Sequence, residues 1–147
     1  MICSFFGHRK VNENIYRDLE EEIRSIIIYT NEEIVFYVGN KGSFDFIVQI
    51  ILKNMIGEYP GIKAYVVLDG LPNEREKDLP LETIVPEGIE EIPKRFAMSF
   101  RNKWMIEKCD IAIVFCTDCA SNTRKHIDML KKKRKAIINI ADVLPYI

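Results

Sequence analysis

Neither glycine signature that cradles phosphate occurs in this chain: there is no GxxxxGK[ST] and no GxGxxG. Their absence excludes a standard P-loop and a standard dinucleotide-binding turn. Charge of one sign is not in excess either. Lys and Arg total 21 against 22 Asp and Glu, a formal net charge of −1. No global field therefore recruits nucleic acid or an anionic membrane. No window nears the ~20 uninterrupted apolar residues of a transmembrane helix. The N-terminus reaches His8-Arg9-Lys10 too soon to leave room for a signal peptide. A cytoplasmic protein without a membrane partner is the expectation. The four cysteines, Cys3, Cys109, Cys116 and Cys119, are by default free thiols in a reducing compartment. Cys116 and Cys119 form a C-x-x-C, which reads as a redox pair or half of a zinc site, but a tetrahedral site needs two more ligands and none has paired spacing. No metal and no cofactor is expected.

What is present is an ordinary globular composition, 48% hydrophobic and 29% charged over 147 residues, which fits one domain spanning 1–147. Ile2–Phe6 reads as strand β1, followed by a helix capped by Asn12 and running to Tyr29, with Ile15, Leu19, Ile23, Ile26 and Ile27 on one face. Ile34–Val38 reads as β2, about Ser43–Ile56 as a helix ended by Gly57 and Pro60, and Ile62–Leu68 as β3. Asp69–Pro80 is polar and reads as an exposed, mobile loop. Thr83–Val85 is a short β4, about Pro93–Lys108 a helix with Phe96, Phe100 and Trp104 supplying bulk, and Ile111–Cys116 the clearest buried strand, β5. Ser121 to about Lys133 is a helix ending in the basic run Lys131–Lys135, a solvated helix end rather than a nucleic-acid patch, and Ala136–Ile140 is β6. Successive strand–helix–strand crossovers imply a parallel sheet.

The chain is organised around Ile34–Leu52, IVFYVGNKGSFDFIVQIIL: strand, glycine turn, helix. A helix opening there directs N–H groups and a positive dipole end at whatever sits above the turn, which suits an anion. Gly39, Asn40, Lys41, Gly42, Ser43 and Asp45 are candidates on that turn. In a parallel sheet ligands bind outside the carboxyl ends of the strands. Those ends also carry Gly7, His8 and Arg9 after β1, Glu87 after β4, and Thr117, Asp118, Ser121, Asn122 and Thr123 after β5, with Arg101 and Asn102 on the preceding helix. Hydroxyls, helix N-termini and Arg suit phosphate, and Asp45 or Asp118 suits ribose hydroxyls. Plainer readings stand beside these. His8 serves equally as a loop hydrogen-bonding residue, Arg9 as a surface ion pair, and Asp45 as a first-turn carboxylate that needs no ligand. Ser121 and Thr123 fit capping, His126 packing, and Trp104 the core.

Taken in order, FFGHRK, YVGNKGSFD, RNKWMIEKCDIAIVF, and ASNT followed by KKKRKAIINI resemble the SLOG superfamily, which includes the DNA-uptake protein DprA and the LOG phosphoribohydrolases. The resemblance covers nearly the whole chain and is closest to small stand-alone bacterial or phage members. It implies an α/β, Rossmann-like three-layer sandwich, with about six mostly parallel strands and helices on both faces, binding a nucleotide-derived ligand at its carboxyl edge. It also implies a homodimer or higher homo-oligomer. In LOG enzymes an Arg before β5 and a Glu in PGGxGTxxE serve N-glycosidic cleavage. Arg101 matches the first, but aligning on Thr123 puts His126 at the Glu. An oxocarbenium-like transition state is stabilised by an anion, and imidazole does not supply one.

The expected function is thus binding or sensing of a nucleotide or ADP-ribose-like small molecule, with nucleic acid not expected as a partner. One alternative is an N-glycoside hydrolase acting on a nucleoside monophosphate, with Arg101 and either Glu87 or Asp45 as catalytic candidates. Another is a non-catalytic protein-interaction scaffold.

Overall fold

The computed structural model describes residues 1–118 and 120–143. Six strands form one all-parallel sheet in the order β4-β3-β2-β1-β5-β6. The strands are β1 (Ile2–Gly7), β2 (Ile34–Val38), β3 (Ile62–Val67), β4 (Glu82–Ile84), β5 (Ile111–Phe115) and β6 (Ala136–Asn139). The helices are α1 (Tyr16–Tyr29), α2 (Ser43–Glu58), α3 (Ala97–Lys108), α4 (Asn122–Lys132) and the short α5 (Ile140–Val143). This is an α/β, Rossmann-like fold. From β1 the chain winds outward through β2 and β3 to β4, then returns to β5 on the other side of β1. The order therefore reverses at the β1–β5 crevice, where α/β sheets bind ligands.

Helices α1, α2 and α5 cover one face, and α3 and α4 the other. Alternation along β2 shows why: Ile34, Phe36 and Val38 are buried beneath α1 and α2, while Val35 and Tyr37 face the other way and are half-buried. On α2, Phe44, Ile47, Val48, Ile51, Leu52 and Met55 are buried, recurring at helical spacing. Each such side chain contributes about 1.5–3 kcal/mol by leaving water. The helix opens on Gly42, whose φ is 98°, and a Cβ there would lie 2.6 Å from Arg9 Cα. Only glycine meets both conditions.

Three sequence expectations change. Asn12 does cap, its side chain accepting from Asn14 N at 3.0 Å, but it caps a 3-10 turn (Glu13–Ile15) that leads into α1. The aromatic residues of the third helix do not form the core. Phe96 is 51% exposed in a 3-10 turn before α3, Trp104 is half-buried against Tyr37, and the buried residues of α3 are Ala97, Arg101, Met105 and Ile106. The Asp69–Pro80 loop carries a 3-10 turn (Glu76–Asp78), closed by reciprocal bonds between Asn73 and Glu76 and tied to the β2 turn by Glu76 and Asp69. Among the described residues no helix is long and apolar enough to cross a membrane. Of the Cys116–Cys119 pair, Cys116 is buried and free, and Cys119 lies outside the described residues.

Candidate functional site

A cleft of about 560 Å³ opens over the β1–β5 crevice. The end of β1 brings Gly7, His8 and Arg9; the β2 turn brings Gly39, Lys41 and Asp45; α3 brings Arg101 and Asn102; and the start of α4 brings Ser121, Asn122 and Thr123. These candidates are separated by as many as 116 positions in the chain, from Gly7 to Thr123, and meet only because β1 is central. Asn40, Gly42, Ser43, Thr117 and Asp118 do not line the cleft. Ser43 is occupied elsewhere: its N–H and hydroxyl both donate to Arg9 O, at 2.7 and 3.0 Å, and its Oγ accepts from Val11 N. The β1 loop thus lies across the first turn of α2 and consumes one of the donors expected to face an anion. Glu87 is exposed and also outside the cleft, so Asp45 is the one carboxylate among the described residues that lines it.

The floor is a buried polar group. Arg101 is 4% exposed, and four of its N–H directions are spent on neutral oxygens. Nη1 donates to Asn40 Oδ1 at 3.1 Å and to Val67 O at 3.5 Å; Nε and Nη2 converge on Asn102 Oδ1 at 3.2 and 2.9 Å. Burial lowers the Arg101 pKa, opposed by the charges of Asp45, Asp69 and Glu76. Asp45 lies close by: a Cβ on Gly39 would sit 2.7 Å from Asp45 Oδ2 and 3.0 Å from Arg101 Nη1. Burial pushes the Asp45 carboxyl up to about 6, although Lys41 N donates to Oδ2 at 3.0 Å and Arg101 opposes the rise. Asp45 therefore shapes the turn by accepting that N–H.

Both histidine rings accept from neighbouring N–H groups. Asn102 Oδ1 is committed to Arg101, so its Nδ2 faces His126 Nε2 at 3.4 Å and the ring proton resides on Nδ1. Burial, and then Arg101, push His126 down to about 4. Its ring also packs against Phe6 at 5.2 Å. His8 Nε2 accepts from Thr117 N at 3.0 Å, and Nδ1 lies 3.5 Å from Thr123 Oγ1. His8 thereby clasps the β1 loop to the β5 loop and to α4. Ser121 caps α4, its Oγ accepting from Arg124 N at 3.1 Å.

Sequence reasoning missed Arg95, Lys103 and Lys125, which also line the cleft. With Arg9, Lys41 and Arg101 they make six cations against the single carboxylate of Asp45. Among the described residues no carboxylate lies within 4.0 Å of Arg9, Arg95, Lys103 or Lys125, while Lys41 approaches Asp69 at 3.9 Å. A signal for Lys125 was present: Asn122, Lys125, His126 and Met129 share one helical face once α4 begins at Asn122. Arg95 and Lys103 had no such signal.

The architecture is a Rossmann-like α/β fold, and solved structures share it. DNA processing protein A from Helicobacter pylori matches with a TM-score of 0.63 and 14% identity over 93% of this chain. DprA from Streptococcus pneumoniae matches with a TM-score of 0.54 and 13% identity over 95%. The chain spans 63% and 59% of those structures, about six-tenths of their length. At such identities the likeness is one of fold. No family model and no curated protein matches the chain. The Helicobacter pylori structure is described for its single-stranded DNA binding mode. That finding overturns the expectation that nucleic acid is not a partner. The expectation rested on a net charge of −1, which averages away a cleft where cations outnumber carboxylates six to one.

Proposed function

We propose that this protein binds nucleotide units through their phosphates in the β1–β5 cleft, presented by single-stranded nucleic acid or by a free nucleotide or ADP-ribose-like ligand. The observation that carries the reading is the cluster of six cations that includes a buried Arg101 whose hydrogen-bond partners are amide oxygens. Amide acceptors orient a guanidinium without neutralising it, so its charge stays available to phosphate. Arg9, Arg95, Lys103 and Lys125 are exposed, suited to tracking a charged backbone. Likeness of fold to a protein described for binding single-stranded DNA supports the same reading.

The test is fluorescence anisotropy with a labelled oligothymidylate over a salt series, with AMP and ADP-ribose as competitors. Binding should weaken linearly in log salt, and Lys125→Ala should lower the slope by about 0.7, the contribution of one phosphate contact on a single strand. Displacement by the mononucleotides places free nucleotides in the same cleft; its absence assigns the cleft to the strand. No binding of any of these probes, or binding that Lys125→Ala leaves unchanged in strength and slope, overturns the proposal.

A further inference from the structure

Asn40 does not line the cleft, yet its side chain is bonded at both ends. Oδ1 accepts from Arg101 Nη1 at 3.1 Å, and Nδ2 donates to Glu76 Oε2. A carboxylate can only accept, so Glu76 fixes which end of the amide faces which partner. With Nδ2 held, Asn40 cannot turn over and present its NH2 group to the guanidinium. Glu76 is anchored in turn: Asn73 N donates to its Oε1 at 3.1 Å, and its own N donates to Asn73 Oδ1 at 2.9 Å. The segment also touches the β2 turn a second time through Asp69 and Lys41. A polar chain therefore runs from Glu76 through Asn40 to Arg101, then through Asn102 to His126.

We propose that Glu76 is a positioning residue for the cleft, fixing the Asn40 amide so that Arg101 is held toward the bound phosphate; this rests on the reading of the cleft as a phosphate site. The arrangement separates orientation from neutralisation. A Glu bonded directly to Arg101 would orient it equally well but would compete with the ligand for its charge. Placing an amide between them keeps the geometry and moves the carboxylate one side chain away. The β3–β4 segment thereby becomes part of the binding apparatus, although it contributes nothing to the lining.

The experiment measures oligothymidylate affinity for Glu76→Ala and Glu76→Gln in the wild-type and Arg101→Ala backgrounds. Glu76→Ala should weaken binding about tenfold, the scale of one hydrogen bond to a charged group. Glu76→Gln should recover most of that loss, because its carbonyl still accepts from Asn40 Nδ2 while its NH2 group gives up only the bond from Asn73 N. In the Arg101→Ala background, Glu76→Ala should have no further effect. Equal losses in both backgrounds, or no rescue by Gln, would show a general structural role and overturn the proposal. Nitrogen-15 NMR of the Arg101 Nε–H and Asn40 Nδ2 resonances decides the point without ligand. Both should shift in Glu76→Ala and hold in Glu76→Gln; unchanged resonances in Glu76→Ala overturn the proposal. If wild type binds none of the nucleotide probes, the binding reading falls, and the resonances still decide whether Glu76 positions Arg101.

Discussion

Asp45 and His126 have their proton affinities displaced in opposite directions, and the consequence for stability can be worked through. Asp45 releases its proton at an ordinary value of 3.8 when unfolded and at about 6 when folded. Ionising it inside the protein therefore costs about 3 kcal/mol, at about 1.4 kcal/mol per pH unit. That cost is absent below about pH 4 and complete above about pH 6, so this residue makes stability fall as pH rises. His126 takes up a proton at 6.5 when unfolded but only at about 4 when folded. It contributes about 3 kcal/mol at neutral pH, and that contribution is lost as pH falls from 6.5 toward 4. The two slopes nearly cancel. Asp45→Asn keeps an acceptor for Lys41 N and removes the Asp45 slope, so its stability relative to wild type should climb by about 3 kcal/mol between about pH 4 and 6. His126→Gln should show the reverse trend relative to wild type, between about pH 4 and 6.5. Urea unfolding followed by the fluorescence of Trp104, the single tryptophan, reads both. Curves for both variants that run parallel to wild type across this window would exclude the opposed titrations of Asp45 and His126.

Gly7 packs its Cα under the buried Phe44 ring, and an added Cβ would lie 2.2 Å from Phe44 Cγ. Gly7→Ala should cost about 3 kcal/mol and lower Tm by about 6–12 °C in a thermal melt. Ser121→Ala removes the cap that accepts from Arg124 N and should cost about 1 kcal/mol, with Ser121→Thr restoring most of it. Chemical denaturation of the three proteins checks the order.

The sheet was legible because its strands are short apolar runs, β-branched in β2 and β5, and because the apolar residues of α1 recur at helical spacing. The third helix was harder to read. Large aromatics suggested its buried side, whereas Arg101 takes a buried position there and Phe96 stays exposed. Nothing local marks an arginine as buried, because the oxygens that stabilise it come from Asn40 and Val67 on other elements. The cleft was half legible. Strand ends pointed to His8, Gly39 and Ser121, since topology alone puts those loops on one edge. Its electrostatics stayed hidden in a balanced composition. The basic run Lys131–Lys135, the densest cationic stretch in the sequence, lies away from the cleft lining. There Lys133 pairs with Glu107 at the contact between α3 and α4, and Lys135 donates to Glu107 O. The scattered cations gather at the cleft instead.

The two margins of the sheet are unusually brief, three residues in β4 and four in β6, and the chain turns into α5 directly after Asn139. A neighbouring molecule that tried to extend the hydrogen-bonded ladder would find a foothold of a few rungs, with exposed Glu82 at one margin. Strand-to-strand growth into fibres or swapped sheets is disfavoured by the architecture itself. Among the described residues, the surface left for contact between copies of this chain is the one its helices and loops present.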